Sequence, residues 1–164
     1  MSPFDLVVMP THLRFMGRKF PRTIGRGGLT DHKVEGDGAT PRGVHGIVGM
    51  LYRPDRIAKP ADWAVPILTG DLWSDDVKDP AYNLMLRAPH GFSHEDLRRA
   101  DPMYDLVLIT DWNWPHAVKG RGSAIFIHAW RGKGRPTAGC IAFRPEHLGW
   151  IAPRIRIGSR VVIA

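Results

Sequence analysis

The sequence predicts a mainly β protein with short helices, folded as a single domain. Its 164 residues are enough to bury the apolar core of one domain. The 18 glycines and 14 prolines divide the chain into short segments, and no helical apolar period lasts for more than about three turns. The sequence contains no repeat, linker or low-complexity tract. We therefore expect one domain over residues 1–164.

Seven segments are predicted to be strands, because each has β-branched or aromatic residues between turn signals. In chain order they are Asp5–Met9, Val44–Tyr52, Ala64–Leu68, Tyr104–Thr110, Ser123–Ala129, Gly139–Phe143 and Gly158–Ile163. The continuous apolar run Ala124–Ile127 within the fifth segment is typical of a buried strand.

Two short helices are expected between these strands. Ser93 is followed closely by two acidic residues, a pattern typical of a helix N-cap, and it predicts a helix over Ser93–Arg99. Pro145 suits the first position of a helix, because the first turn leaves its N–H groups unpaired and proline has none. The second predicted helix is therefore Pro145–Ile151.

The composition excludes several classes of protein. With 43% hydrophobic and 24% charged residues the chain is globular rather than disordered. No run approaches the roughly 18 apolar residues that span a bilayer, so we expect no membrane insertion. The N-terminal segment has no basic region, and Pro10 ends the short apolar run Leu6–Met9. We expect a cytoplasmic protein without a signal peptide, or a periplasmic one if a precursor has been trimmed.

The net charge of +7 favours an anionic partner, which could be a nucleic acid, a membrane surface or an acidic small molecule. The 23 lysines and arginines are scattered and form neither a basic block nor a basic helix. This distribution argues against a nucleic-acid partner. A basic domain that stacks bases on exposed tryptophans stays an alternative. The oligomeric state is left open by the sequence.

Cys140 is the only cysteine, which excludes an intrachain disulfide and a cysteine-rich metal site. The histidines have no paired zinc-ligand spacing, so we expect no metal and no other cofactor. The lone thiol is either a small buried hydrophobe or a reactive group.

The segment Ser123–Arg144 can bring a histidine to this thiol. The run Ala124–Ile127 leads to His128 at a strand end, and a Gly/Lys/Arg loop leads to Cys140 at the start of another strand. Cysteine catalysis needs a thiolate, an imidazole that shares its proton and backbone N–H groups for an oxyanion. Gly139 has no side chain, so a carbonyl group can approach the backbone closely beside Cys140. The alternative is a basic loop joining two core strands, with a buried and satisfied histidine.

Two motifs together match a known family. His128 is followed by Thr137-Ala138-Gly139-Cys140, and Thr40-Pro41-Arg42-Gly43 precedes a predicted strand. In this combination the chain resembles the YkuD-type L,D-transpeptidase catalytic domain. Similarity to a compact single-domain branch of that family extends to Tyr52-Arg53-Pro54-Asp55-Arg56, Tyr82-Asn83, Tyr104-Asp105 and Gly120–Phe126. The resemblance covers most of the chain and implies a β-sandwich or mixed sheet.

The resemblance also implies roles for individual residues. Cys140 would be the nucleophile and His128 its acid and base, with the backbone carbonyl of Ala129 fixing the imidazole tautomer. The N–H groups of Gly139 and Cys140 would bind the oxyanion. Thr137 would belong to the substrate site.

The rest of the substrate site is less closely specified. The family often has Arg or Asn two positions after the cysteine, where this chain has Ala142, so the substrate carboxylate needs another donor. The candidate donors are Arg53, Arg131, Arg135 and Arg144. Trp130, two residues after the histidine, is expected to border a pocket.

The implied reaction is cysteine-dependent acyl transfer at an L-centre–D-amino acid bond, most simply diaminopimelate–D-Ala of a peptidoglycan tetrapeptide. Water as the acceptor gives an L,D-carboxypeptidase, and an amine gives an L,D-transpeptidase. For a cytoplasmic protein that meets only released muropeptides, we expect the carboxypeptidase of peptidoglycan recycling. A catalytically idle peptide-binding module is a further alternative.

Overall fold

The computed structural model describes residues 2–164 and confirms a mainly β fold. The strands are β1 (Leu6–Val8), β2 (His12–Phe15), β3 (Arg18–Thr23), β4 (Leu29–Thr30), β5 (Thr40–Pro41), β6 (Gly43–Tyr52), β7 (Val65–Pro66), β8 (Asp71–Ser74), β9 (Met85–Arg87), β10 (His94–Asp96), β11 (Leu106–Thr110), β12 (Phe126–Ala129), β13 (Ile141–Phe143) and β14 (Arg160–Ile163). The helix α1 spans Pro145–Ile151, and short 3₁₀ helices span Pro102–Tyr104 and Ala152–Arg154.

Nine strands form one mixed sheet in the order β11-β12-β13-β3-β2-β1-β14-β6-β7. The long strand β6 pairs with β14 through its first residues and with β11 through the rest. These pairings close the sheet on itself. The pairs β1–β14 and β12–β13 are parallel, whereas β11–β12 and β13–β3 are antiparallel. The expected mixed sheet is therefore confirmed.

The closed sheet separates two apolar clusters, because successive side chains of a strand point to opposite faces. Ile127 and Ile141 belong to the larger cluster, together with α1 residues such as Leu148. Phe126 and Cys140 belong to the smaller cluster on the other face.

A small sheet in the order β10-β8-β9 covers this second face. The Trp73 ring of β8 contacts the Phe126 ring edge-on, with 4.9 Å between centroids. Leu97, which follows β10, is fully buried in the same cluster. The second face of the closed sheet is therefore an interior surface, and any site on it lies partly under the small sheet.

All seven predicted strands are present, as β1, β6, β7, β11, β12, β13 and β14. The strand β6 begins one residue earlier than predicted, and the other six are shorter than predicted. The predicted helix Pro145–Ile151 is confirmed with the same bounds. The hairpin β2–β3 is not among the predicted strands, because its charged residues interrupt the alternation of apolar and polar side chains that indicates a strand. Phe15 and Phe20 of that hairpin pack against Trp150 of α1 at centroid distances of 6.3 and 5.5 Å.

The predicted helix Ser93–Arg99 is wrong, because its central residues form the strand β10 instead. Glu95 pairs opposite Trp73 of β8 in an antiparallel ladder. The N–H of Ser93 donates to Asp76 rather than starting a helical turn. A local N-cap pattern contributes little here beside backbone pairing with a distant strand and burial of Leu97.

Among residues 2–164, no helix combines the length and the apolar character required to cross a bilayer. Over the same residues, no three His, Cys, Asp or Glu side chains are grouped in a way that could hold a metal ion.

Candidate active site

The parallel register of β12 and β13 places the thiol and the imidazole on one face of the sheet. Ile127 pairs with Ile141, and His128 pairs with Ala142. Cys140 immediately precedes β13, so its side chain points to the same face as Phe126 and His128. Both reactive side chains also line the same cleft.

His128 is held in one orientation by its own strand. Its Nδ1–H donates to the backbone carbonyl of Ala129 at 2.8 Å, which leaves Nε2 as the unprotonated nitrogen of the neutral ring. The ring of Tyr104 meets the imidazole edge-on, with 5.2 Å between centroids. Only 3% of His128 is exposed. The Ala129 carbonyl thus occupies the place that the sequence predicts for it.

The Cys140 thiol is held by backbone groups of the β12 segment. It donates to the carbonyl of Ala124 at 3.0 Å and accepts from the N–H of Phe126 at 3.4 Å. Ala124 has φ of +50°, and its N–H is held by the Asn83 side chain at 2.9 Å. Asn83 therefore positions the carbonyl that orients the thiol.

Burial keeps both reactive groups neutral. It lowers the pKa of His128 to about 4, and the positive charges of Arg99 and Arg131 act in the same direction. It raises the pKa of the Cys140 thiol to about 12, to which the negative charge of Glu95 contributes. Among residues 2–164, no hydrogen bond joins Cys140 Sγ to the imidazole. The resting pair is therefore a thiol and a neutral imidazole, rather than thiolate and imidazolium.

The structure corrects the predicted role of the Gly139 N–H as an oxyanion donor. The N–H of Gly139 donates to Thr137 Oγ1 at 3.2 Å, so this group is used within the loop rather than offered to an oxyanion. Thr137 Oγ1 in turn donates to the Cys140 carbonyl at 2.6 Å. The hydroxyl of Thr137 closes the turn, and the Cys140 N–H stays the predicted oxyanion donor.

The Thr40-Pro41-Arg42-Gly43 motif holds this loop through the hydroxyl of Thr40. The buried Thr40 hydroxyl accepts from the Gly25 N–H at 2.9 Å and donates to the Gly139 carbonyl at 2.7 Å. A Cβ on Gly139 would lie 3.0 Å from the Ala39 carbonyl oxygen, and its φ of +144° favours glycine. The motif thus sets the backbone path into Cys140.

A cleft of about 250 Å³ opens over the two reactive side chains. Four of the predicted substrate residues line it, namely Trp130, Arg131, Arg135 and Thr137. The guanidinium groups of Arg131 and Arg135 form no ion pair within residues 2–164, and both residues are exposed. The Nε–H of Arg131 donates to Met103 Sδ at 3.3 Å. Arg131 and Arg135 are therefore the predicted arginines whose charge is left unpaired for an incoming carboxylate.

Two predicted arginines are not brought to the cleft. Arg53 is buried, and its guanidinium is occupied by the Asp55 carboxylate at 2.8 Å and the Arg99 carbonyl at 2.6 Å. Arg144 is exposed and lies over the outer ring of Trp130, 5.8 Å from the centroid. We correct both assignments, because neither guanidinium lines the space above the thiol.

The cleft is also lined by three charged residues and a tyrosine that the sequence does not predict as site residues. Arg26, Glu95, Arg99 and Tyr104 all line it. The Tyr104 hydroxyl donates to Glu95 Oε2 at 2.5 Å. Glu95, Arg99 and Tyr104 lie within ten residues of one another, whereas Arg26 follows β3. Among these four residues, only Tyr104 belongs to a segment that resembles the family.

His128 thus lies on β12, Cys140 immediately precedes the adjacent parallel strand β13, and both side chains line one cleft. The family model described as the L,D-transpeptidase catalytic domain, YkuD, matches residues 15–163. The chain belongs to this family of peptidoglycan transpeptidases and carboxypeptidases, which confirms the resemblance found in the sequence.

A search of curated proteins finds no match to the chain. Among solved structures, the chain is similar to an L,D-transpeptidase from Mycobacterium smegmatis at 15% identity, with a TM-score of 0.43. The similarity covers 93% of this chain and 52% of that structure, so the chain spans about half the length of the structure it matches.

Proposed function

We propose that this protein is a cysteine-dependent L,D-carboxypeptidase that removes the terminal D-amino acid from peptidoglycan tetrapeptides. The observation that carries the proposal is the shared face of β12 and β13, where Cys140 and His128 line one cleft. Nε2 of His128 is free to accept a proton because Nδ1–H is bound to Ala129.

The proposed reaction begins with transfer of the Cys140 thiol proton to His128 Nε2. The sulfur then attacks the carbonyl carbon of the L-centred residue, and the Cys140 N–H stabilises the oxyanion. The C–N bond breaks as the imidazolium returns its proton to the leaving amine. Water, deprotonated by His128, then cleaves the thioester and restores the free thiol.

The charge of the cleft supports a peptide with a free carboxylate as the substrate. Arg131 and Arg135 are exposed at its rim and form no ion pair among the residues described. A guanidinium can bind a carboxylate through two parallel hydrogen bonds. In a tetrapeptide the terminal carboxylate belongs to the residue directly after the scissile bond, whereas in a longer peptide it lies further away.

Incubation of the purified protein with a disaccharide tetrapeptide, followed by mass analysis, tests the proposal. We expect loss of one D-Ala, and tripeptide in excess over cross-linked dimer when an amine acceptor is added. Cys140→Ala should abolish both product and labelling by a carbapenem while leaving the fold intact. Predominant dimer would instead identify a transpeptidase, and full activity of Cys140→Ala would exclude the cysteine mechanism.

One observation favours a second candidate, an idle peptide-binding module. The thiol donates to the Ala124 carbonyl, and burial raises the pKa of Cys140 to about 12. A module of this kind would bind tetrapeptide without releasing D-Ala and would form no carbapenem adduct. The mass analysis therefore separates the two candidates.

We also propose the cytoplasm as the compartment of the reaction, with muropeptides released during recycling as the substrate. Fractionation of cells that express the full-length protein tests this proposal. Recovery with periplasmic markers would overturn it.

A further inference from the structure

The cleft contains one carboxylate among its arginines. Glu95 is the central residue of β10, and it lines the cleft while the flanking His94 and Asp96 are exposed and do not. This difference follows from the alternation of side chains along a strand. Glu95 is therefore directed towards the thiol by the pairing of β10 with β8.

The Glu95 carboxylate is only partly satisfied by the protein. Oε2 accepts the hydroxyl of Tyr104 at 2.5 Å, whereas no donor within residues 2–164 bonds to Oε1. The nearby Arg99 does not neutralise it by an ion pair, because that guanidinium binds Asp101 at 2.6 Å and lies over the Tyr104 ring. The carboxylate thus keeps one oxygen available to a ligand.

The surroundings make an unpaired carboxylate costly. Burial raises the pKa of Glu95, and the negative charges of Asp75 and Glu35 raise it further, whereas the Tyr104 hydrogen bond and the charge of Arg99 lower it. A cationic ligand group would relieve this cost. It would also remove the negative charge that helps to raise the pKa of the Cys140 thiol.

We propose that Glu95 is a specificity-determining residue that binds a primary ammonium group of the peptide substrates. The geometry that carries this is one carboxylate with a free oxygen facing a cleft whose rim holds Arg131 and Arg135, neither of which forms an ion pair within residues 2–164. Such a cleft is complementary to a zwitterionic peptide, with carboxylate on arginine and ammonium on Glu95. The proposal rests on the proposed function, because it takes the ligand to be a peptide.

The ammonium group has two possible sources. One is the side-chain amine of the L-centred residue in the donor peptide. The other is the amine of an acyl acceptor that approaches the thioester on Cys140. The chemistry at Glu95 is the same in both, and two experimental arms distinguish them.

The first arm measures binding in the Cys140→Ala background, where no turnover occurs. The probes are L-Ala-γ-D-Glu-L-Lys-D-Ala with the lysine amine free or acetylated, and the measurement is Kd by calorimetry. If the donor supplies the amine, we expect the free-amine peptide to bind about tenfold more tightly, and Glu95→Gln to abolish that preference. Binding of the acetylated peptide should stay unchanged, because Gln still accepts the Tyr104 hydroxyl.

The second arm measures products in the protein with Cys140 intact, using the acetylated donor and increasing concentrations of an amine acceptor. If the acceptor supplies the amine, Glu95→Gln should lower the ratio of amine transfer to hydrolysis about tenfold. Asp96→Asn is the matched control, since it removes the same charge one residue away on the other face of β10. Asp96→Asn should change neither the preference for the free-amine peptide nor the ratio of amine transfer to hydrolysis.

A purely structural role of Glu95 predicts a different result. Equal weakening of both peptides by Glu95→Gln, together with an unchanged product ratio, would overturn the proposal. The absence of any free-amine preference in the parent protein in both arms would overturn it as well. Because the first arm needs no catalysis, failure of the proposed enzyme activity would appear separately, as a lack of D-Ala release.

Discussion

At the scale of single residues, burial keeps the Cys140 thiol and the His128 imidazole neutral, so the proposed reaction needs the bound substrate to compensate for the charges that it creates. Burial raises the pKa of Cys140 to about 12 and lowers that of His128 to about 4. A buried charge pair is stable only when nearby groups compensate for the lost hydration. In the proposed reaction the oxyanion donor and a ligand cation at Glu95 provide that compensation. Such an arrangement protects the thiol from reaction in the empty cleft.

The arginines at the cleft rim provide a residue-scale prediction. We expect Arg131→Lys or Arg135→Lys to lower kcat/KM for tetrapeptide by about tenfold, because lysine lacks the planar fork that binds a carboxylate through two hydrogen bonds. Arg160→Lys, on β14 and outside the cleft, is the matched control and should behave like the parent. Steady-state release of D-Ala measures the effect. If both rim variants match the parent, the carboxylate is bound by other groups.

At the scale of elements, the site depends on how β12 and β13 are joined. A connection between parallel strands is usually a dozen residues or more and often helical. Here the connecting loop, residues 130–140, is held instead by bridging to the extension of β3, where Thr137 N–H donates to Ile24 and Arg26 N–H donates to Thr137, each at 2.9 Å. The loop that ends in Cys140 is therefore held in place by backbone hydrogen bonds to the segment that follows β3.

The Thr40 hydroxyl provides a prediction for this element. Thr40→Val keeps the shape but leaves the Gly25 N–H and the Gly139 carbonyl without their buried partner. We expect the free energy of unfolding to fall by about 2–6 kcal/mol, because each of the two unpaired buried groups costs about 1–3 kcal/mol. Denaturant unfolding measures the change.

Thr40→Ser is the control for this variant, because it retains the hydroxyl and loses only a methyl group. It should cost about 1 kcal/mol. Equal losses in the valine and serine variants would show that packing of the methyl group, and not the hydroxyl bridge, stabilises the loop.

At the scale of the whole molecule, the site lies on the face of the closed sheet that the small sheet covers. The strand β6 joins β14 to β11, and the small sheet of β8, β9 and β10 covers the outer face of β12. His128 is buried on that face as a neutral group. Its titration therefore contributes to the stability of the whole fold.

We predict that His128 makes the fold less stable as the pH falls from about 6.5 towards 4. Burial lowers its pKa to about 4 in the folded state, against 6.5 in the unfolded chain, so the unfolded state binds the extra proton in this window. The contribution is about 3 kcal/mol, since one pKa unit is worth about 1.4 kcal/mol. Below pH 4 both states are protonated and this contribution no longer changes.

Urea unfolding of the parent and of His128→Gln at pH 7 and pH 4.5 checks this prediction. The difference in unfolding free energy between the two pH values should be smaller in the variant. His45, whose pKa is also lowered by burial, is present in both proteins, so its contribution cancels in the comparison. An identical pH dependence in the two proteins would contradict the assignment.

The sequence by itself determined the positions of the main strands and of the helix Pro145–Ile151. These features depend on local order, since apolar runs between turn residues and a proline at a helix start act within a few positions. The Ala129 carbonyl beside Nδ1 follows from the chain as well, because the two groups are adjacent.

Only the tertiary structure decided which charged residues reach the cleft. The Arg53 guanidinium binds Asp55 and the Arg99 carbonyl and does not line the cleft. Arg26 and Glu95, which are far apart in the chain, both line it. Glu95 lies in the segment that local signals predict to be a helix, and its pairing opposite Trp73 makes it a strand residue facing the thiol. The physical reason is that backbone pairing and burial join residues far apart in the chain, and local propensity does not encode those partners.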